Sequence, residues 1–266
     1  QGMTSVKNAR LATEPEWKSS TLEARPRVPR VLLVIGLVLP TAITWVYFVA
    51  LAGHASGLQQ LAYGLGKGGQ FLLPVIAVGV WGDWKRGMLP AIQSLKGKLR
   101  RDWVLAIAFG FVVLLAMLGL YFAVLLPSGG MEQAKREGVA KLESLGIGSP
   151  AALLLVAAFY AFLHSGFEEF YWRGFLFQGL RQYCPMLVAL IISSLGFMAH
   201  HVLVLGKFFG YDSVYTYFFS LSIAIGGGVW AWLVSRTESL IPSWISHGII
   251  DAAIFLIALH LIFFAS

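Results

Sequence analysis

Charged residues are scarce in this chain. Lys, Arg, Asp and Glu together make up 12% of its 266 residues, whereas about 25% of the residues in an ordinary soluble domain are charged. Hydrophobic residues reach 58%, and the mean hydropathy is +0.74. This composition excludes a water-soluble fold of this length and predicts an integral membrane protein.

Cysteine is nearly absent as well, and so are the patterns of a membrane β-barrel. The one cysteine, Cys184, excludes an internal disulfide framework and a CxxC metal site. The sequence also lacks segments of about ten residues with alternating polarity, which β-barrel strands require. Because backbone amides in hydrocarbon must be hydrogen-bonded within their own segment, the long apolar runs predict helices. We therefore expect an all-α fold, a polytopic transmembrane helix bundle.

Seven apolar runs are candidate spans of about 20 residues. They cover approximately residues 31–53, 70–82, 103–126, 151–180, 185–205, 214–235 and 240–264. The second run is short and glycine-rich, which predicts a tilted or partly re-entrant segment unless the span begins near Leu58. Residues 131–145 mix charge signs at helical spacing and predict a surface helix. An eighth element within residues 54–82 or 127–150 would give about seven to eight spans, and residues 31–266 form one predicted domain.

Lys and Arg residues concentrate in two segments of the chain. Residues 1–30 and residues 83–102 each contain six basic residues. Because successive spans cross the membrane in opposite directions, fifteen basic residues fall on one side of the membrane and five, among them Lys67, on the other. Since cytoplasmic loops are enriched in Lys and Arg, we expect residues 1–30 to be a polar, basic cytoplasmic segment of a multi-pass protein in a bacterial cytoplasmic membrane. The net charge of +7 is explained by this orientation, so no nucleic-acid partner is expected. The sequence does not indicate an oligomeric state.

Several ionisable residues lie inside the apolar runs, where each is unfavourable by several kcal/mol unless it is paired or functional. Glu169 and Arg173 are one helical turn apart, which allows an ion pair. Glu168 lies about 100° around the same helix. His247 and Asp251 also have four-residue spacing, so the carboxylate can accept a hydrogen bond from the imidazole and fix its tautomer.

The depth of these residues in the bilayer provides a further indication. Measured from the predicted cytoplasmic ends of their runs, Glu168, His201 and His247 lie at roughly 20, 24 and 16 Å, at ~1.5 Å per helical residue. Three side chains from three helices are therefore expected in one buried layer. The neighbouring His164 and His200 are interpreted as structural or auxiliary residues.

Three spaced motifs carry these residues. Residues 168–173 read E-E-x-x-x-R, residues 197–201 read F-x-x-x-H from Phe197 to His201, and residues 247–251 read H-x-x-x-D. In this order, on successive membrane helices, they resemble the CAAX protease and bacteriocin-processing family (CPBP, also Abi) of intramembrane endopeptidases. The resemblance covers roughly residues 150–255. The third motif of that family often ends in Asn, where this chain has Asp251.

The resemblance implies that the chain hydrolyses a peptide bond of a membrane-associated protein or peptide in the bilayer. It makes Glu168 the general base that activates a water, and later the proton donor. His201 would position or polarise that water. His247, together with Asp251, would stabilise the developing oxyanion. Three residues would have a supporting role. Glu169 and Arg173 would brace the helix, and the ring of Phe197 would lie one turn before His201.

Two alternatives remain open at this point. The favoured version of the enzyme needs no cofactor, but a metal-dependent version would bind zinc or another divalent ion. Its ligands would be Glu168, His201, His247 and Asp251. The other alternative is a non-proteolytic immunity, scaffold or transport protein that uses the same polar layer to bind protons or a ligand.

Overall fold

The computed structural model describes residues 27–52, 56–81 and 98–265. Within these ranges the chain forms eight helices and no strand, which confirms the predicted all-α class. Seven of these helices are long and apolar enough to cross a membrane, so the chain is a multi-pass membrane protein. Most of the predicted basic segment 1–30 and of the basic loop 83–102 lies outside the described residues.

We number the helices α1 to α8 in chain order. They are α1 (Arg30–Ala50), α2 (Ser56–Trp81), α3 (Lys98–Leu125), α4 (Glu132–Ser144), α5 (Pro150–Leu180), α6 (Met186–Phe209), α7 (Val214–Thr237) and α8 (Ile241–Phe263). The predicted surface helix is confirmed as α4, and the other seven helices are the candidate spans. Large hydrophobic side chains remain exposed along the spans, as the outer surface of a bundle in lipid requires.

The second span differs from the short segment expected at residues 70–82. Helix α2 has 26 residues and begins at Ser56, close to the alternative start at Leu58. One of its glycines allows a close approach to the neighbouring helix: a Cβ at Gly66 would lie 2.9 Å from the side chain of Ile43 in α1. Small residues at helix contacts are the usual way in which membrane helices pack closely. The glycine-rich stretch is therefore part of one continuous helix, and Gly66 is the position in it that packs against α1.

Helix α4 covers one end of the bundle. Glu137 forms an ion pair of 2.9 Å with Lys207 at the end of α6, and Lys141 donates a hydrogen bond to the hydroxyl of Tyr47 in α1. Lys135 donates to a backbone carbonyl just beyond α8, at 2.6 Å. The surface helix is thus tied to three different spans.

The fifth helix is irregular where it carries the first motif. It spans 31 residues, and π-helical stretches at Phe159–His164 and Phe170–Phe177 flank a short regular stretch at Ser165–Glu169. Such wider turns change the direction of side chains and are frequent at functional sites. The main hydrophobic core packs around this part of α5. Its buried members include Tyr171, Trp172, Phe175, Leu176, Phe197, Trp230 and Leu233.

Helices α5 and α8 touch through their backbones beside the third motif. A Cβ at Gly248 would lie only 2.3 Å from the carbonyl oxygen of Ala161, so this contact requires glycine. One turn earlier, the indole of Trp244 donates to the carbonyl oxygen of Phe162 at 2.7 Å. This close approach places His247, the residue before Gly248, against the first motif.

Candidate active site

The carboxylate of Glu168 lies in the centre of the polar layer. The residue is 3% exposed, and its Oε1 atom is 3.8 Å from Nε2 of both His164 and His200. Its Oε2 atom is 3.8 Å from Nε2 of His247. Imidazoles from α5, α6 and α8 therefore surround this carboxylate, at distances somewhat longer than a direct hydrogen bond.

The adjacent Glu169 is engaged differently. Its Oε1 atom accepts a hydrogen bond from Nη1 of Arg173 at 2.9 Å and lies 2.9 Å from Nδ1 of His247. Because a carboxylate only accepts, we assign the proton of that contact to Nδ1. Asp251 comes no closer than 3.6 Å to Nε2 of the same ring. Glu169 therefore makes the shorter contact with the ring, to which the close contact of α5 and α8 brings it, and Asp251 faces the other ring nitrogen.

The two consecutive histidines of α6 occupy different environments. His200 is buried and approaches Glu168, whereas Nδ1 of His201 lies 2.8 Å from the carbonyl oxygen of Phe197, one turn earlier. The rings of His200 and His201 are 4.1 Å apart, and His201 stays within electrostatic range of Glu168. Both histidines therefore belong to the site, and His200 makes the shorter approach to the carboxylate.

Tryptophan side chains hold the imidazoles in place. Trp172 stacks on His200 with the ring planes 4° apart, and Trp230 stacks on His247 with centroids 4.2 Å apart. The guanidinium of Arg173 lies over the Trp230 ring, 5.0 Å from its centroid. Stacked aromatic neighbours restrict how the rings can turn, so the positions of the imidazole nitrogens around Glu168 are well defined.

Three polar residues near the carboxylate are not among the predicted catalytic residues. The sequence predicts His164 and His200 to be structural or auxiliary, although His164 lies one turn before Glu168 and His200 directly precedes the motif histidine. Lys67 falls in a loop if the second span begins at residue 70. Because α2 begins at Ser56, Lys67 lies inside the span instead, and it interacts electrostatically with Glu168.

The arrangement of the donor side chains bears on the metal-dependent alternative. Within the described ranges, no group of three or more His, Cys, Asp or Glu side chains is arranged to hold a metal ion. In the ligand set of the metal-dependent alternative, His201 bonds to a backbone carbonyl and Asp251 approaches His247. Two of the four ligands of that alternative are thus engaged with protein groups.

Comparison with known proteins finds a related family. Residues 150–253 match the family model described as type II CAAX prenyl endopeptidase, Rce1-like. The matched residues run from the start of α5 into α8 and include Glu168, His201, His247 and Asp251. No curated protein and no solved structure matches the chain. Over residues 150–253, the resemblance to the CAAX protease and bacteriocin-processing family is thereby confirmed, which supports a membrane endopeptidase of the CAAX type.

Proposed function

We propose that this protein is an intramembrane endopeptidase that hydrolyses a peptide bond of a membrane-associated protein or peptide with a water activated by Glu168. The observation that carries the proposal is the buried carboxylate of Glu168, surrounded at 3.8 Å by imidazoles from three helices. The family match over residues 150–253 supports the class of reaction.

The surroundings of Glu168 support the role of general base. Its separations of 3.8 Å from the imidazole nitrogens exceed a direct hydrogen bond, and a water beside such a pair can bond to both groups. The carboxylate takes a proton from the water while the oxygen of that water attacks the scissile carbonyl. The protonated Glu168 then gives the proton to the leaving amine. General acid and base catalysis of this kind typically contributes about 10²- to 10⁴-fold in rate.

His247 is the proposed stabiliser of the oxyanion. While its Nδ1 donates to Glu169, its Nε2 faces the carboxylate of Glu168. In the imidazolium form, Nε2 donates a hydrogen bond to the oxygen that becomes negative in the tetrahedral intermediate. Asp251, 3.6 Å from the same nitrogen, stabilises the positive charge of this imidazolium. His201, beside His200, helps to position the water.

Purified protein and a membrane-anchored peptide test the proposal. Cleavage is compared between wild type, Glu168→Ala and His201→Ala, with His260→Ala as a matched control, because His260 pairs with Tyr121 outside the site. We expect Glu168→Ala to abolish cleavage and His201→Ala to reduce it, with the control unchanged.

The same assay separates the alternatives. Cleavage that survives Glu168→Ala would overturn the glutamate mechanism. Cleavage that is lost with a chelator and restored by zinc would establish the metal-dependent version. Peptide binding without cleavage, in wild type and variant alike, would favour a non-proteolytic protein.

The proposal includes an orientation, with the N-terminus in the cytoplasm of a bacterial cell. Fifteen basic residues on the proposed inner side support it. Because Lys67 lies within helix α2 and not in a loop, four basic residues remain on the opposite side. Protease protection of an epitope tag fused to the N-terminus in sealed membrane vesicles tests this orientation, and cleavage of the tag from the periplasmic side would contradict it.

A further inference from the structure

His164 is the most exposed of the three imidazoles that lie 3.8 Å from the carboxylate of Glu168. Its side chain is 18% exposed, whereas the side chains of His200 and His247 are 4% and 5% exposed. It belongs to none of the three motifs in the sequence. A nitrogen atom that lies this close to the candidate base and is still partly accessible needs an explanation.

The face of α5 that carries His164 becomes more accessible toward the N-terminal end of the helix. Tyr160, His164 and Glu168 follow one another at four-residue spacing, and the first two are half-buried whereas Glu168 is buried. The rings of Tyr160 and His164 lie against each other with centroids 4.6 Å apart. Polar side chains therefore continue from the half-buried Tyr160 to the buried carboxylate, and His164 is the last one before it.

The contacts of His164 differ from those of the other two imidazoles. Stacked indole rings cover His200 and His247. The ring of His164 instead meets Phe71 of α2 edge to face at 6.3 Å and is tilted by 39° against the ring of Tyr160. These contacts hold the His164 ring without enclosing it, in keeping with its greater exposure.

The two oxygen atoms of Glu168 face different partners. Oε1 is the atom near His164, whereas Oε2 lies 3.8 Å from Nε2 of His247, the proposed donor to the oxyanion. The attacking water and the carbonyl oxygen of the substrate must occupy different places, so a water at Oε1 leaves His247 to the oxyanion. His200 also approaches Oε1, but its ring is buried. The accessible position for the water is therefore the one beside His164.

From these contacts we infer that His164 is a further catalytic residue, which holds the attacking water between its Nε2 atom and Oε1 of Glu168. The inference rests on the proposed endopeptidase function. A water beside two polar groups that are 3.8 Å apart can bond to both. One O–H of this water points to Glu168 and the other to Nε2, which accepts when the ring carries its proton on Nδ1. The lone pairs of the water then face the scissile carbonyl carbon, and the proton that moves during the attack goes to Glu168.

Chemical rescue of a membrane-anchored peptide's cleavage tests the inference. Because His164 acts on the water and not on the bound peptide, His164→Ala should lower kcat by at least about tenfold and change KM by less than about threefold. Imidazole added to the solution can reach this partly accessible position and should restore much of the lost rate. His200→Ala is the matched control, since it removes an imidazole at the same distance from Oε1 but from a buried position, where added imidazole should have no effect. Equal rescue of both variants, or of neither, would overturn the inference.

Further substitutions at position 164 separate a bond to the water from simple packing. Gln can place its amide oxygen near the position of Nε2, whereas the shorter Asn cannot, so His164→Gln should cleave at least about fivefold faster than His164→Asn. His164→Phe keeps a ring against Tyr160 but has no nitrogen, and it should be as slow as His164→Ala. A wild-type kcat in His164→Phe would show that the ring only packs. In that case the proposed function still stands if cleavage depends on Glu168.

The position of the water can also be observed without any cleavage. A high-resolution crystal structure of the wild-type protein should show a water within hydrogen-bond distance of both Oε1 of Glu168 and Nε2 of His164. A water that bonds to Glu168 away from His164, or a direct bond between the two side chains, would contradict the inference. If the water lies at His164 but Glu168→Gln cleaves the peptide as wild type does, the proposed glutamate mechanism fails and the position of the water stands.

Discussion

Glu169 and His247 join two helices through one hydrogen bond of 2.9 Å between Oε1 and Nδ1. The same oxygen accepts from Arg173, also at 2.9 Å, and all three residues are buried. The carboxylate next to the candidate base therefore orients an imidazole whose other nitrogen faces that base. The two adjacent glutamates are held differently: the carboxylate of Glu168 lies 3.8 Å from the imidazole of His247, whereas Glu169 is held by direct hydrogen bonds.

Removal of Arg173 should destabilise the protein strongly. Arg173→Met leaves the carboxylate of Glu169, which is 0% exposed, without its cation, and breaking a buried pair in this way typically lowers the free energy of unfolding by about 3–5 kcal/mol. Unfolding in mixed detergent micelles measures the change. Arg181→Met, at an exposed position near the end of α5, is the control and should change stability by about 0.5 kcal/mol or less. Similar losses in both variants would show that the buried pair is not the stabilising feature.

Glu169 should matter more than Asp251 for the orientation of His247. In Glu169→Gln the charged acceptor of the 2.9 Å bond to Nδ1 is lost, and we expect kcat to fall by about tenfold or more. In Asp251→Asn only a contact of 3.6 Å changes, and the family motif often has Asn there, so kcat should stay within about threefold. Peptide cleavage measures the activity, and the ¹⁵N chemical shifts of the imidazole of His247 report its tautomer. A larger effect of Asp251→Asn on both would contradict this assignment.

The backbone contact between α5 and α8 should not tolerate a methyl group. Gly248→Ala places a Cβ 2.3 Å from the carbonyl oxygen of Ala161, and such overpacking typically lowers the free energy of unfolding by about 1–3 kcal/mol. Because His247 moves with Gly248, cleavage should fall too. In Gly68→Ala the added Cβ meets no described atom within 4 Å, so stability should be equal or higher. A Gly248→Ala protein with wild-type stability and activity would refute the close contact.

His200 should contribute to activity although the motif points to His201. Its Nε2 atom lies 3.8 Å from Oε1 of Glu168, so His200→Ala should lower kcat by about tenfold or more. Trp172 stacks on His200, and His200→Phe, which preserves this stacking, should fail to restore the rate. Recovery of wild-type cleavage in His200→Phe would instead assign the residue a packing role.

Much of the fold follows from hydrophobic patterning. Six of the seven predicted spans correspond directly to helices, because an apolar run of about 20 residues in lipid has few alternatives to a helix. The second span shows the limit of this reasoning. Polar and glycine residues before residue 70 lower its hydropathy, yet they belong to the helix, in which Gly66 packs closely on Ile43.

The arrangement within the site is less accessible from sequence. Helical spacing finds the pair of Glu169 with Arg173, since both partners lie on one helix. It cannot find the bond from Glu169 to His247, which depends on the close contact of two helices at Gly248. The π-helical stretches of α5 also leave no simple pattern in the sequence. Which of two consecutive histidines approaches Glu168 depends on the rotation of α6, and spacing alone does not determine it.

In the proposed mechanism the carboxylate of Glu168 activates the attacking water. The most direct test compares the cleavage of one membrane-anchored peptide by wild type and by Glu168→Gln. Both proteins are placed in the same lipid nanodiscs, and their melting temperatures are first shown to be equal. Because Gln has nearly the same shape but is not a base, the account predicts a fall in kcat of at least about 100-fold. A Glu168→Gln protein that cleaves the peptide within about threefold of the wild-type rate would contradict it.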